Sequence, residues 1–216
     1  MPLQNRVTPE GAIVATPHRG LMLGNRGGCF HRPDQTLLPR HWANRQWIAC
    51  VLAFKNRHRA AMMQPNRYTE LFFLDEATAL AAGHRPCFEC RRADAQRFAG
   101  LWATAQGLPA PPRAPAMDLV LQAERVGRDR AKITWRAEFA ALPAGCFVRG
   151  ADGAPYLVDE HGLLPWGLEG YGAPRPRPAG ATAEVLTPRS IVAVLCAGYR
   201  PMLHPTATRR HRRGRH

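Results

Sequence analysis

The stretch Leu71-Phe-Phe-Leu-Asp-Glu-Ala-Thr-Ala-Leu-Ala-Ala-Gly-His-Arg-Pro-Cys-Phe-Glu-Cys-Arg-Arg92 decides how this chain is read. Together with the residues just before it, its opening predicts a strand over Tyr68-Thr-Glu-Leu-Phe-Phe73, where aromatic and apolar side chains collect. Asp75 then stands where a helix needs an N-cap, because its carboxylate can accept from the free N–H groups of the first turn. Glu76 to Ala82 are strong helix formers, and Gly83 supplies a natural C-terminal stop. After the Cys-x-x-Cys turn at Cys87 and Cys90, a second helix is predicted over Arg92 to Ala105, with Phe98, Leu101 and Trp102 on one stripe.

Working outward, Trp47-Ile-Ala-Cys-Val-Leu-Ala-Phe54 is apolar on both faces and predicts a central, buried strand. Before it lies a glycine-rich loop, Gly24-Asn-Arg-Gly-Gly-Cys-Phe-His-Arg-Pro33. Downstream, the four prolines of Gly107-Leu-Pro-Ala-Pro-Pro-Arg-Ala-Pro-Ala116 predict a stiff linker. Beyond it come a helix over Met117 to Arg125 and a short strand at Lys132-Ile-Thr-Trp-Arg136. Cys146-Phe-Val-Arg149 and Pro155-Tyr-Leu-Val158 flank an Asp152-Gly153 turn and predict a hairpin. Thr187-Pro188 opens a last helix to Ala197. The expected class is therefore α+β: a zinc-stabilised N-terminal module over 1–106, a linker over 107–116, a β-rich module with a terminal helix over 117–205, and a disordered basic tail over 206–216. One internal echo, Leu80-Ala-Ala-Gly-His-Arg-Pro86 against Leu195-Cys-Ala-Gly-Tyr-Arg-Pro201, reads as a shared way of ending a helix, with a duplicated module as the alternative.

The 216 residues carry a net charge of +14, almost all from arginine, since Lys55 and Lys132 are the only lysines. A GC-rich genome explains arginine in place of lysine, but not why acidic residues number only 16. Such a surplus favours polyanion partners through counterion release. An apolar fraction of 45% is that of a globular protein, and no apolar run approaches the ~20 residues of a membrane span. The start has no signal-peptide pattern, so the expected location is cytoplasmic.

In a reducing compartment, six cysteines point to thiols or metal rather than disulfides. Cys87 and Cys90 have the spacing that lets two thiolates bind one zinc from a tight knuckle. A redox pair and two ordinary thiols are the alternatives. The redox reading asks for a strand leading into the pair, which is not predicted here, so zinc is favoured.

Residues 71–92 resemble the second half of the zinc-binding domain of the Ada family of bacterial DNA methyl-damage response proteins. The shared pattern is a Phe-Phe strand end, an Ala-rich helix, then Gly, one residue, Arg-Pro-Cys, two residues and Cys. The resemblance implies that Cys87 and Cys90 are zinc ligands. It also implies a departure: the family carries two further cysteines shortly before the Phe-Phe strand, one of them the methyl acceptor. Here the corresponding stretch, residues 56–66, has none, so methyl-acceptor activity is not expected.

The two remaining ligands are sought among Cys29, His31, Cys50 and His58. The expected set is His31, Cys50, Cys87 and Cys90, with Cys29 as first replacement. The expected function is nucleic-acid binding, DNA or RNA, with regulatory or repair-associated roles. Arg91, Arg92, Arg209, Arg210, Arg212 and Arg213 are the expected contacts. Two other classes stay open. One is an enzyme acting on a small or nucleotide-like substrate between the modules, near Trp166, Tyr171, Arg175 and the Arg26 loop. The other is an interaction module whose zinc is purely structural. No H-E-x-x-H motif, phosphate-binding glycine loop or G-x-S-x-G elbow is present.

Overall fold

The computed structural model describes residues 1–55 and 61–208 and has an α+β architecture with two sheets. In chain order the elements are β1 (Gln4–Val7), β2 (Ile13–Ala15), β3 (Met22–Arg26), β4 (Trp47–Cys50), β5 (Leu71–Phe73), α1 (Glu76–Ala81), β6 (Arg85–Pro86), α2 (Arg92–Gln106) and α3 (Ala114–Arg125). Then follow β7 (Trp135–Glu138), β8 (Phe147–Arg149), β9 (Pro155–Asp159), β10 (Gly162–Gly167), β11 (Gly170–Tyr171), β12 (Thr182–Val185), α4 (Arg189–Cys196) and α5 (Pro205–Thr208). The first sheet has the order β2-β1-β5-β3-β4-β6 and mixes parallel and antiparallel pairs. The second, β11-β10-β9-β8-β12-β7, is antiparallel throughout.

Helix α1 lies between the two sheets, and its composition explains how it can. Every one of its residues is buried. Ala79, with Ala82 just beyond the helix, packs against Met22, Leu71 and Phe73 of the first sheet. Ala77 and Ala81 pack with Phe147, Leu157 and Leu164 of the second. Methyl-sized side chains on both faces let two sheets approach one helix, where larger residues would hold them apart. Asp75 caps the helix as expected, its carboxylate accepting from the Thr78 N–H at 2.9 Å and the Thr78 hydroxyl at 2.8 Å.

The helix ends on Gly83, whose φ of +90° is a left-handed value that suits glycine. Gly83 N–H donates to Leu80 and His84 N–H to Ala79, which is the Schellman pattern. Helix α4 ends the same way, with Gly198 N–H on Leu195 and Tyr199 N–H on Val194. The echo in the sequence is thus matched by two identical helix stops.

Several expected elements differ in extent: β5 covers only Leu71–Phe73 of the expected Tyr68–Phe73, and β7 covers Trp135–Glu138 in place of Lys132–Arg136. Strand β4 ends at Cys50 rather than Phe54, because its partner β3 pairs Leu23 with Cys50 and starts only one residue earlier. Beyond that point the chain leaves the sheet, and Leu52 is 51% exposed. Helix α3 begins at Ala114, inside the expected linker, with a proline tolerated in its first turn. Helix α2 precedes that linker, yet its Phe98, Ala99 and Trp102 belong to the same core as Val148, Val158 and Ile191. The hairpin is present, with β8 and β9 paired and Gly153 at φ +79° in the turn.

Candidate metal centre

Cys50, Cys87 and Cys90 come together although β4 and the knuckle are far apart in sequence. Strand β6 runs parallel to β4, with Ile48 opposite Arg85 and Ala49 opposite Pro86. That register carries Cys87 to the end of β4, where its N–H donates to the Ala49 carbonyl at 3.0 Å. The knuckle then turns back on itself, with Arg91 N–H donating to the Cys87 carbonyl at 3.0 Å, and runs straight into α2. A strand, β6, does therefore lead into the pair, contrary to the expectation from sequence, and what sets the group apart from a simple redox pair is its third sulfur, Cys50. The three sulfur atoms all lie within 4.8 Å of one another, and no disulfide links them. Sulfurs at two vertices of a tetrahedron around zinc would stand about 3.8 Å apart, given Zn–S bonds of ~2.3 Å. The donor set therefore fits a soft or borderline metal ion.

The surroundings favour thiolates. Glu89 N–H donates to the Cys87 sulfur at 3.4 Å, and the Val51 backbone hydrogen-bonds to Cys90. Donors aimed at sulfur stabilise the charged form, as does the N-terminus of α2 just beyond Cys90. Hydrogen bonding from Cys50, outweighing burial, draws the Cys87 thiol down to about 5 and also lowers Cys90. Cys50 is pushed up, foremost by those same hydrogen bonds to Cys87 and Cys90. Without a metal, Cys50 thus keeps the proton that its two neighbours share; a cation would take its place. Asn25, Tyr68 and Glu89 line the small cleft beside the sulfurs.

No family model matches this chain, and no curated protein or solved structure was found to be similar to it.

The other expected site residues lie elsewhere. His31 does not join the cysteines: its Nδ1 sits 2.7 Å from the Thr69 hydroxyl and its Nε2 3.2 Å from the Gln64 carbonyl. That side chain is buried and serves to tie the glycine-rich loop to the segment before β5. Cys29 is exposed, with its sulfur 3.7 Å from His31 Nδ1, and is also outside the triad. His58 falls outside the described residues. Among the described residues, no fourth His, Cys, Asp or Glu completes the group.

Arg91 is not a free surface cation. Its guanidinium donates to both Glu76 oxygens at 2.8 and 2.9 Å and to Asp94, and it is buried. Arg92, one residue on, is exposed. Arg209, Arg210, Arg212 and Arg213 lie outside the described residues. Of the residues named for a cleft, Trp166 donates from its ring nitrogen to the Thr78 hydroxyl, and Tyr171 donates to Asp75. Both tie the second sheet to α1. Sequence reasoning missed the protein groups that support the sulfurs, the Glu89 and Val51 backbones. It could not have found them, because backbone donors leave no mark in residue type.

Proposed function

We propose that this protein is a zinc-binding, nucleic-acid-binding protein in which Cys50, Cys87 and Cys90 hold the metal. The observation that carries the metal reading is the convergence of three sulfur atoms within 4.8 Å. Zinc suits a set of thiolates better than magnesium or calcium, which take oxygen ligands, and it needs no redox partner. Bound there, the ion pins the end of β4 to the knuckle that starts α2. Tyr68 and Glu89 line the cleft beside the sulfurs, from which solvent would supply a fourth ligand. Its role is to hold the fold, with no methyl-acceptor chemistry attached.

The nucleic-acid reading is supported by the net charge of +14 and by exposed arginines. Arg32, Arg40 and Arg45 are exposed in the connection between β3 and β4, and Arg40 lies over the Trp42 ring at 5.2 Å. Arginine interleaved with an aromatic suits phosphate contact combined with base stacking. The test is a salt titration of duplex DNA and RNA binding. The logarithm of affinity should fall with log salt at about 0.9 per phosphate contact on duplex DNA. Removing residues 209–216 should flatten that slope by roughly three to five, as five arginines leave with them. The truncation must start after Ala207, whose side chain is buried with Leu164 and Tyr171. Absence of salt-sensitive binding at ~50 mM salt would refute the reading.

A further inference from the structure

The second concentration of chemistry lies where the first sheet meets α3. Arg26, on β3, is 2% exposed, and Arg125, at the end of α3, is 1% exposed. Their guanidinium carbons each lie 4.0 Å from the centre of the Trp47 ring. Together with Lys132 they line a cavity of about 230 Å³, with Trp42 on its wall and Arg130 and His41 beside it. The two tryptophan rings are 6.0 Å apart.

These cations are not neutralised. Arg26 donates to the Gly11 carbonyl at 2.9 Å, and Arg125 to the Gly83 and Arg45 carbonyls at 2.8 and 2.7 Å. Lys132 donates to the Ala81 carbonyl at 2.5 Å. All are neutral acceptors, and among the described residues no carboxylate stands within 4.0 Å of any of the three. Glu10 lines the cavity, but its carboxylate is 3.8 Å from Arg149. Arg125 Nε is buried with no hydrogen-bond partner. Burial lowers Arg26 to about 9; burial and the neighbouring Arg26 charge lower Arg125 to about 9 and Lys132 to about 7. A set of buried like charges destabilises a fold unless something of opposite charge balances it. Elsewhere the chain pairs Arg85 with Asp118 at 2.7 Å and Arg91 with Glu76 at 2.8 Å, while the single buried Arg6 donates to neutral acceptors. Here, among the described residues, three buried cations share no close carboxylate, and Asp118 and Glu10 act on Arg125 and Lys132 only from beyond 4.0 Å.

We propose that this cavity is a binding site for the phosphate group of a small phosphate monoester, held by Arg26, Arg125 and Lys132 and flanked by Trp42 and Trp47. A multidentate dianion suits two guanidiniums and an ammonium, and would take over donors now spent on neutral acceptors, among them the His41 carbonyl and the Gln122 side-chain oxygen. The cavity is smaller than the ~300 Å³ at which drug-sized pockets begin, so the ligand is compact. Trp42, partly exposed on the wall, favours a monoester over free phosphate, because the organic part has its apolar surface to cover, whereas Trp47 is already covered by the two guanidiniums. The site is separate from the cysteine triad and stands whether or not a metal binds there.

The test is calorimetry on the full chain with phenyl phosphate, inorganic phosphate and phenol. Phenyl phosphate should bind most tightly, inorganic phosphate more weakly, and phenol not at all. Equal affinity for the two anions would overturn the role of Trp42, and no binding of either would overturn the site. Lys132→Met removes one charge and keeps the volume. It should weaken phenyl phosphate binding about tenfold or more while raising the melting temperature of the ligand-free protein. If Lys132 were merely structural, the variant would melt lower and bind equally well. Arg130→Gln, at the exposed rim, should weaken binding without altering the melting temperature; unchanged affinity in both variants would also refute the proposal.

Discussion

Replacing Glu76 by alanine tests how the metal knuckle, α1 and the C-terminal segment are held to one another. The Glu76 carboxylate accepts from Arg91 at 2.8 and 2.9 Å, from the Tyr199 hydroxyl at 2.6 Å and from the Met202 N–H at 2.9 Å. Its side chain is 2% exposed and that of Arg91 7%. Alanine would leave a guanidinium inside with only Asp94, itself half exposed, as its acidic partner. Breaking a buried pair on one side costs about 3–5 kcal/mol. For a chain of this size that lowers the melting temperature by about 6–20 °C. The Arg91 N–H also donates to the Cys87 carbonyl, so a loosened Arg91 should weaken metal binding as well. Differential scanning calorimetry on Glu76→Ala and on the double variant Glu76→Met with Arg91→Met separates the causes. The double variant should recover much of the loss, because neither charge is then left unpaired. A single variant that melts within about 2 °C of the parent would refute the reasoning.

Two further expectations follow from burial. Ala77→Leu places extra volume where α1 meets the second sheet, and should destabilise the fold by about 1–3 kcal/mol in chemical denaturation; an unchanged midpoint would contradict the packing of α1 between the sheets. Lys132 makes stability depend on pH: its folded value of about 7 lies below the ordinary 10.5, so the unfolded chain binds more protons between those values. Stability of the ligand-free protein should therefore rise from pH 7 toward pH 10 and fall back as pH drops, and Lys132→Met should flatten that rise; an identical profile in parent and variant would contradict the account.

The sequence was legible where local chemistry decides the outcome. Asp75 and Gly83 bounded α1, Asp152-Gly153 marked the hairpin, and the Cys87 and Cys90 spacing marked the knuckle. Cys50 was legible only as one candidate among several, since what brings it to the knuckle is the parallel register of β4 and β6. Nothing local separates His31 from a ligand; Thr69 and Gln64, distant in sequence, engage it instead. The alanines of α1 looked like helix propensity, whereas their small size also serves to bring two sheets together. Arg125 and Lys132 entered the sequence reading only through the net charge, and Arg26 through a loop named for a cleft; the tertiary fold is what gathers all three around Trp47.

Metal content tests the central claim most directly. Elemental analysis of the purified protein, beside a Cys50→Ser variant, should find about one zinc per chain in the parent and far less in the variant. Stripping the metal with a chelator should also lower the parent's melting temperature and broaden its transition. A parent that carries no metal and melts unchanged after chelation, or a variant that keeps its zinc, would contradict the assignment of Cys50, Cys87 and Cys90 as a metal site.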